Sequence, residues 1–212
     1  KFCIPKIEFD ISFCRAIIKE SWPFGLSIVF TTVYYWTDTV MLSLMCGDIV
    51  VGWYNASYKL VLALLFVPQA FFGAVFPVMS IFYIKSKKSL DIAYFKSLKY
   101  MVMFALPLSI GTTVLADKII ILIYGNEYAR SILPLQILVW SSAFIFVSNV
   151  FVCLFESTNR QKIVTKIAGS CLLLNVVLNL LLIPKYSLVG ASIATTATEL
   201  LSLVLLFTWS VK

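Results

Sequence analysis

The sequence has no histidine, and charged residues make up only 13% of its 212 residues. The missing histidine excludes a Ser-His-Asp arrangement and any histidine-based metal site. The chain also has no Walker A loop, no GxSxG elbow and no Cys/His cluster, and the linkers between its apolar segments are too short for a soluble catalytic domain. These absences argue against an enzyme. They also predict no metal and no cofactor.

What the sequence has instead is apolar surface. Hydrophobic residues make up 61% of the chain and the mean hydropathy is +0.97, whereas soluble domains carry roughly 25% charged residues. Apolar runs of roughly 20 residues recur, and they are continuous rather than alternating, which indicates membrane-spanning helices and not strands. The predicted fold is therefore all-α, a polytopic bundle of about six transmembrane helices.

An amphipathic segment precedes the bundle. Residues 1–20 place cationic residues between large apolar ones, which predicts a cytoplasmic segment lying in the headgroup layer. Residues 21–212 then form one bundle, because the linkers are short. Helices A to F are predicted at about residues 22–45, 52–84, 97–115, 132–155, 162–183 and 188–211. Helix B exceeds the length that a bilayer needs and contains Pro68 and Pro77, so we expect it to kink.

The positive charges are distributed unevenly over the two sides of this topology. Thirteen of the 17 Lys and Arg residues fall on one side and four on the other. Because cytoplasmic loops are enriched in Lys and Arg, we expect a plasma-membrane protein with both ends of this chain in the cytoplasm. The same distribution explains the net charge of +7 without nucleic acid.

Polar residues inside the predicted spans are candidates for function, because a central charge costs roughly 2.5 to 3.5 kcal/mol on insertion scales. Asp38 ends a polar face of helix A, and Lys59 and Gln69 share a face of helix B. Asp38 and Lys59 lie at similar distances from the turn near Asp48, so we expect them to pair. Such a pair either stabilises the bundle or contacts substrate.

Helices E and F carry further candidates. Asn175 and Asn179 are one turn apart, and Thr195 and Glu199 share a face of helix F. Two explanations of the asparagines and the threonine stay open. They either form hydrogen bonds between helices or contact sugar hydroxyls in a cavity. Glu199 lies near the predicted midplane and is a candidate proton-binding or cation-binding group. The candidate substrate-binding or transport residues are Asp38, Lys59, Gln69, Asn175, Asn179, Thr195 and Glu199.

Several stretches together resemble the polysaccharide-biosynthesis flippases of the multidrug/oligosaccharidyl-lipid/polysaccharide (MOP) exporter superfamily, which also includes the MATE transporters. The resemblance covers nearly the whole chain. It rests on the order and spacing of the stretches rather than on any single stretch. They are TDTVMLSLMCGDIVVGWYNASYKL (37–60), VPQAFFGAVFPVMS (67–80), ADKIIILIYGNEYARSILPLQIL (116–138) and NVVLNLLLIPKYSLVGASIATTATE (175–199).

The resemblance implies a fold and a function. Members have about fourteen helices in two lobes that alternate access to a central cavity, and this chain is similar to the second lobe. The first lobe would belong to the same, longer polypeptide. The implied substrate is an oligosaccharide on a polyprenyl phosphate or pyrophosphate within the bilayer. Two alternatives stay open: a small-molecule or drug exporter coupled to Na⁺ or protons through Asp38 or Glu199, and a membrane glycosyltransferase or polymerase using an outer-loop acid such as Asp48 or Glu127.

Overall fold

The computed structural model describes the backbone of residues 11–211, and between residues 11 and 24 the side chains of Arg15, Ile17, Ile18, Ser21 and Trp22 only. This part of the chain is helical almost throughout. Its elements are α1 (Ile11–Cys46), α2 (Asp48–Leu64), α3 (Phe66–Lys85), α4 (Lys87–Tyr124), the 3₁₀ helix η1 (Asn126–Ser131), α5 (Ile132–Ser157) and α6 (Gln161–Ser210).

Two glycines mark chain reversals at one end of the bundle. Gly47 separates α1 from α2 with φ 85°, and Gly125 ends α4 with φ 84°. A Cβ at either position would meet no neighbouring atom. It is therefore the left-handed backbone, and not a lack of space, that favours glycine there.

Predicted helix B is bent into two helices. α2 ends at Leu64, α3 begins at Phe66, and Pro68 lies in the first turn of α3. Proline has no N–H to donate to the carbonyl four residues earlier, so the helical hydrogen-bond ladder is broken just before it. The helix is thus interrupted at Leu65, near the predicted kink, whereas Pro77 lies inside α3 without ending it.

The 50-residue α6 is two antiparallel helices joined at Ser187, where φ is 50° and ψ is −130°. Asn179 and Thr195 both donate hydrogen bonds to the Asp38 carboxyl group. In a straight helix these two residues would lie about 24 Å apart, so the chain must reverse between them. The reversal separates the predicted helices E and F. It is tight, because a Cβ on Gly190 would run into the backbone carbonyl of Leu182.

Helix α5 lies at the centre of the bundle, packing against α2, α3, α4 and α6, while α1 packs mainly against α6. Four helical stretches of the described residues are long and apolar enough to cross a membrane: 48–85, 87–124, 126–157 and 161–210. Large apolar side chains on their outer faces are exposed, as expected of a surface that contacts lipid. The chain is therefore a multi-pass helical membrane protein.

Helix α1 is not among the four stretches. Its central part contains Thr31, Thr32, Tyr34, Tyr35 and Asp38, which lower its hydropathy although they are the side chains that build the interior described below. Of the predicted amphipathic segment, residues 1–10 lie outside the described residues, and residues 11–20 are helical and continuous with the rest of α1.

Candidate functional site

A buried carboxyl group lies where α1, α2 and α6 meet. Asp38 is 3% exposed. Its Oδ2 accepts hydrogen bonds from the Tyr54 hydroxyl at 2.7 Å and from the Thr195 hydroxyl, and its Oδ1 accepts one from Asn179 Nδ2 at 2.6 Å. Asn179 Nδ2 also donates to Asn175 Oδ1 at 3.0 Å. We call these five residues, all buried, the Asp38 cluster.

Two polar atoms of the Asp38 cluster are buried without a hydrogen-bond partner: Asn175 Nδ2 and Asn179 Oδ1. Buried polar atoms are nearly always paired, so unpaired ones call for an explanation. The carboxylate, amide and hydroxyl oxygens here are hard donors of the kind that bind small cations. Among the described residues, no group of three His, Cys, Asp or Glu side chains is arranged to hold a metal ion.

The predicted pairing of Asp38 with Lys59 is wrong. The two side chains, both within the described residues, form no ion pair, and Lys59 is exposed on α2. The turn lies at Gly47, nine residues after Asp38 and twelve before Lys59, so the register places Tyr54 opposite Asp38. Tyr54 was not among the sequence candidates.

A cavity of about 410 Å³, lined by both polar and apolar side chains, opens between α1, α5 and α6. Glu199 lines it on α6 and Tyr34 lines it on α1. The other polar residues in its wall are Ser27, Thr31, Thr32, Tyr35, Ser148, Asn149, Glu156, Thr198 and Ser202. We call it the Glu199 cavity. The sequence singled out Glu199, whereas the α5 contribution of Ser148 and Asn149 was not recognised.

The Asp38 cluster and the Glu199 cavity are neighbours along the same helices. Asp38 follows Tyr34 by four residues on α1, and Glu199 follows Thr195 by four on α6. About one helical turn, or about 6 Å, therefore separates the cluster from the cavity along both helices. Five of the seven candidates, Asp38, Asn175, Asn179, Thr195 and Glu199, thus belong to one polar interior.

Lys59 and Gln69 lie elsewhere. Both are exposed, on a face of α2 and α3 that also carries Asn55, Leu62, Phe66 and Gly73. We call this the α2–α3 face. The two acids named in the enzyme hypothesis are both exposed. The Asp48 carboxylate accepts a hydrogen bond from Ser43 at 2.7 Å, and the backbone carbonyl of Glu127 accepts one from the Trp53 indole at 3.1 Å.

Comparison with known proteins adds family evidence. A family model described as "Polysaccharide biosynthesis protein" matches residues 1–82. A putative O-antigen transporter of Shigella dysenteriae is 29% identical over 189 residues, covering 87% of this chain and 46% of the relative. A probable low-salt glycan biosynthesis flippase, Agl15 of Haloferax volcanii, is 22% identical over 173 residues, covering 81% of this chain and 37% of the relative. The resemblance to the polysaccharide-biosynthesis family is confirmed.

Comparison with solved structures shows the fold. A multidrug resistance MATE family transporter of the MOP superfamily, in its outward-facing conformation, matches with a TM-score of 0.78 at 18% identity, over 92% of this chain and 44% of the transporter. The lipid II flippase MurJ matches with a TM-score of 0.77 at 17% identity, over 98% of this chain and 45% of the flippase. The chain spans less than half the length of the polysaccharide-biosynthesis relatives that it matches.

Proposed function

We propose that this chain is one lobe of a flippase that moves a lipid-linked oligosaccharide, carried on a polyprenyl phosphate or pyrophosphate, across the plasma membrane for cell-surface polysaccharide synthesis. The similarity to a probable glycan biosynthesis flippase and to a putative O-antigen transporter supports this substrate class and a transport role rather than an enzymatic one. The opposite lobe would lie in the rest of a longer polypeptide, and the two lobes would alternate access to a shared cavity.

In this proposal the chain crosses the membrane six times. The crossings are α1, the bent α2–α3 pair, α4, α5 and the two halves of α6. The 50 residues of α6 would measure about 75 Å if straight, more than twice the hydrocarbon thickness. Residues 1–20 would lie at the cytoplasmic surface, residues 21–212 would form the bundle, and both ends would be cytoplasmic.

The α2–α3 face is the observation that carries the proposal. Lys59 lies about 18 Å along α2 from the turn at Gly47, at a depth where a lipid-exposed cation is costly. Both Lys59 and Gln69 are nevertheless exposed on the surface of this lobe. A water-filled cavity shared with a second lobe would remove this cost, because Lys59 would then face water rather than lipid. Lys59 would then neutralise phosphate charge, and Gln69 would bind sugar hydroxyls.

Lys59 offers a direct test in the full-length protein, reconstituted in vesicles with labelled lipid-linked oligosaccharide. We expect Lys59→Gln to slow translocation at least about tenfold, since a charge-assisted contact to phosphate is lost, and Lys59→Arg to retain most of it. Lys185→Gln, which removes another exposed lysine at the α6 reversal, is the matched control. Equal rates for Lys59→Gln and Lys185→Gln would contradict the role of the α2–α3 face.

A second candidate function is favoured by the unpartnered Asn179 Oδ1 beside Asp38. This oxygen and the carboxylate suit a small cation, which fits an exporter of small molecules driven by a Na⁺ or proton gradient. In that case, collapsing the gradient would stop efflux of a small solute, Asp38→Asn would abolish the dependence, and no lipid-linked oligosaccharide would move. Gradient-independent movement of lipid-linked oligosaccharide would exclude this candidate.

A further inference from the structure

Two apolar grooves run along opposite sides of the first half of α6. The larger, of about 630 Å³, lies between α1 and α6 and is walled by Trp22, Leu26 and Leu173. The smaller, of about 280 Å³, lies on the other side and is walled by Leu205 and Trp209 from the second half of α6. We call them the Trp22 groove and the Trp209 groove.

The two grooves share a ridge made of Lys162, Lys166 and Ser170, each of which lines both of them. These residues follow one another at intervals of four, so they form one row along the helix. All three are exposed. Each groove is therefore apolar, and both are bordered by the ammonium groups of Lys162 and Lys166 and by the hydroxyl of Ser170.

The charge of the ridge is unbalanced. Among the residues that the structure describes, no Asp or Glu lines either groove. Lys162 lies in the first turn of α6, where the helix dipole disfavours a cation and favours an anion. The enrichment of lysine on one side of the membrane explains the two cations here, but it does not explain why two apolar grooves meet at them.

We propose that the ridge and its grooves bind an anionic phospholipid with two acyl chains, in the leaflet at which α6 begins. The phosphate contacts Lys162 and Lys166, and one chain lies in each groove, on either side of Ser170, whose hydroxyl donates a hydrogen bond to the Lys166 carbonyl at 3.0 Å. A ligand with a single chain would fill only one groove. Trp22 and Trp209 suit the level of the headgroups, where tryptophan is enriched.

This lipid site is separate from the Glu199 cavity. Phe30 lines both the cavity and the Trp22 groove and so forms the wall between them. Its ring packs so closely that a Cβ on Gly169 would lie 3.1 Å from Phe30 Cε2. Beside it, the hydroxyls of Ser27 and Thr165 are hydrogen-bonded at 2.6 Å across the same gap. The inference does not depend on the proposed transport function.

Native mass spectrometry of the full-length protein, purified with phosphatidylglycerol, phosphatidylcholine or a polyprenyl phosphate, tests the proposal. We expect one phosphatidylglycerol retained in preference to phosphatidylcholine. A Lys162→Gln/Lys166→Gln variant should bind it about 30-fold more weakly, from the usual contribution of lysines near an anionic surface. Lys85→Gln/Lys88→Gln, which removes two other exposed lysines, should leave retention unchanged. Equal losses in both variants, or preferential retention of polyprenyl phosphate, would overturn the proposal.

Photo-crosslinking identifies the occupant independently. A photoreactive residue placed at Leu173, in the Trp22 groove, or at Leu205, in the Trp209 groove, should label phosphatidylglycerol, and the lysine double variant should reduce the labelling. Leu181, which is 61% exposed and lines neither groove, should label lipid irrespective of headgroup and of the lysines. A crosslink from Leu173 or Leu205 to another segment of the same polypeptide would show that protein, and not lipid, fills the groove.

Discussion

Tyr54 donates a hydrogen bond of 2.7 Å to Asp38 across the turn at Gly47, and both residues are at most 3% exposed. The Tyr54 ring also stacks on Tyr58 at 5.6 Å. The hydroxyl and the ring of Tyr54 therefore stabilise the α1–α2 hairpin in separable ways.

Tyr54→Phe removes the hydroxyl and keeps the ring. We expect it to lower the free energy of unfolding by about 1 to 2 kcal/mol, since a hydrogen bond to a carboxyl group is lost within a membrane protein. Unfolding of the full-length protein in mixed micelles measures this. Tyr58→Phe is the control, because its ring stacks in the same pair while its hydroxyl has no bond to Asp38. Equal effects of the two changes would contradict the assignment.

Replacing Asp38 itself should cost more. Asp38→Leu leaves the hydroxyls of Tyr54 and Thr195 and one of the two N–H groups of Asn179 without their acceptor, for which we expect a loss of about 2 to 4 kcal/mol. Asp38→Asn keeps one oxygen and should lose less. The order of thermal stability, wild type above Asn above Leu, checks this. A Leu variant as stable as the Asn variant would mean that the donors find other partners.

The reversal of α6 depends on a missing side chain. A Cβ on Gly190 would collide with the Leu182 backbone carbonyl, so Gly190→Ala must separate the two halves of α6 or distort the turn. We expect a destabilisation of about 1 to 3 kcal/mol, typical of overpacking. Gly73→Ala is the matched control, because a Cβ there meets nothing within 4 Å. If both glycine variants melt at the same temperature, the close approach at Gly190 does not affect the stability of the protein.

A reciprocal pair of serines joins α2 to η1. Ser57 Oγ donates to the Ser131 carbonyl and Ser131 Oγ donates to the Trp53 carbonyl, both at 2.7 Å, and both serines are fully buried. Single changes to alanine should each cost about 0.5 to 1.5 kcal/mol. Because the two bonds hold the same two segments together, the double variant should cost less than the sum. Strict additivity in a double-mutant cycle would show that the bonds act independently.

Glu199 provides a test of proton exchange in the Glu199 cavity. Glu199→Gln keeps the shape of the side chain and cannot release a proton. If the carboxyl group exchanges protons during transport, the variant should lose the pH dependence of the transport rate, whereas Glu127→Gln, at an exposed position of η1, should keep it. An unchanged pH profile in Glu199→Gln would assign Glu199 a role in packing or substrate contact.

Much of this architecture could be predicted from local sequence. The Pro68 kink and the reversal within IPKYSLVGA follow from residues close to the break. Asn175, Asn179 and Thr195 were candidates because polar residues in an apolar helix need partners. Predicted helix C was too short at both ends, since α4 runs from Lys87 to Tyr124. Charged residues such as Asp117 and Lys118 lie exposed on the outside of α4 and do not interrupt it.

Relationships between distant helices could not be predicted in the same way. Whether Lys59 or Tyr54 faces Asp38 depends on where the turn lies and how the two helices rotate, and a shift of one residue turns a side chain by about 100°. The Glu199 cavity needs Ser148 and Asn149 from α5. Nothing in the α5 sequence indicates which of its serines face a cavity, because serines inside a helix also bond to their own backbone, as Ser141 and Ser142 do.

The Asp38 cluster also sets an order of assembly. During synthesis Asp38 leaves the ribosome long before most of its partners: Tyr54 follows 16 residues later, whereas Asn179 and Thr195 follow 141 and 157 residues later. Until the α6 hairpin is made, the carboxyl group of Asp38 has Tyr54 but lacks the two donors that α6 supplies. The α6 hairpin thus completes the bundle around α1, so truncation before Thr195 should leave a nascent chain that is prone to quality-control degradation.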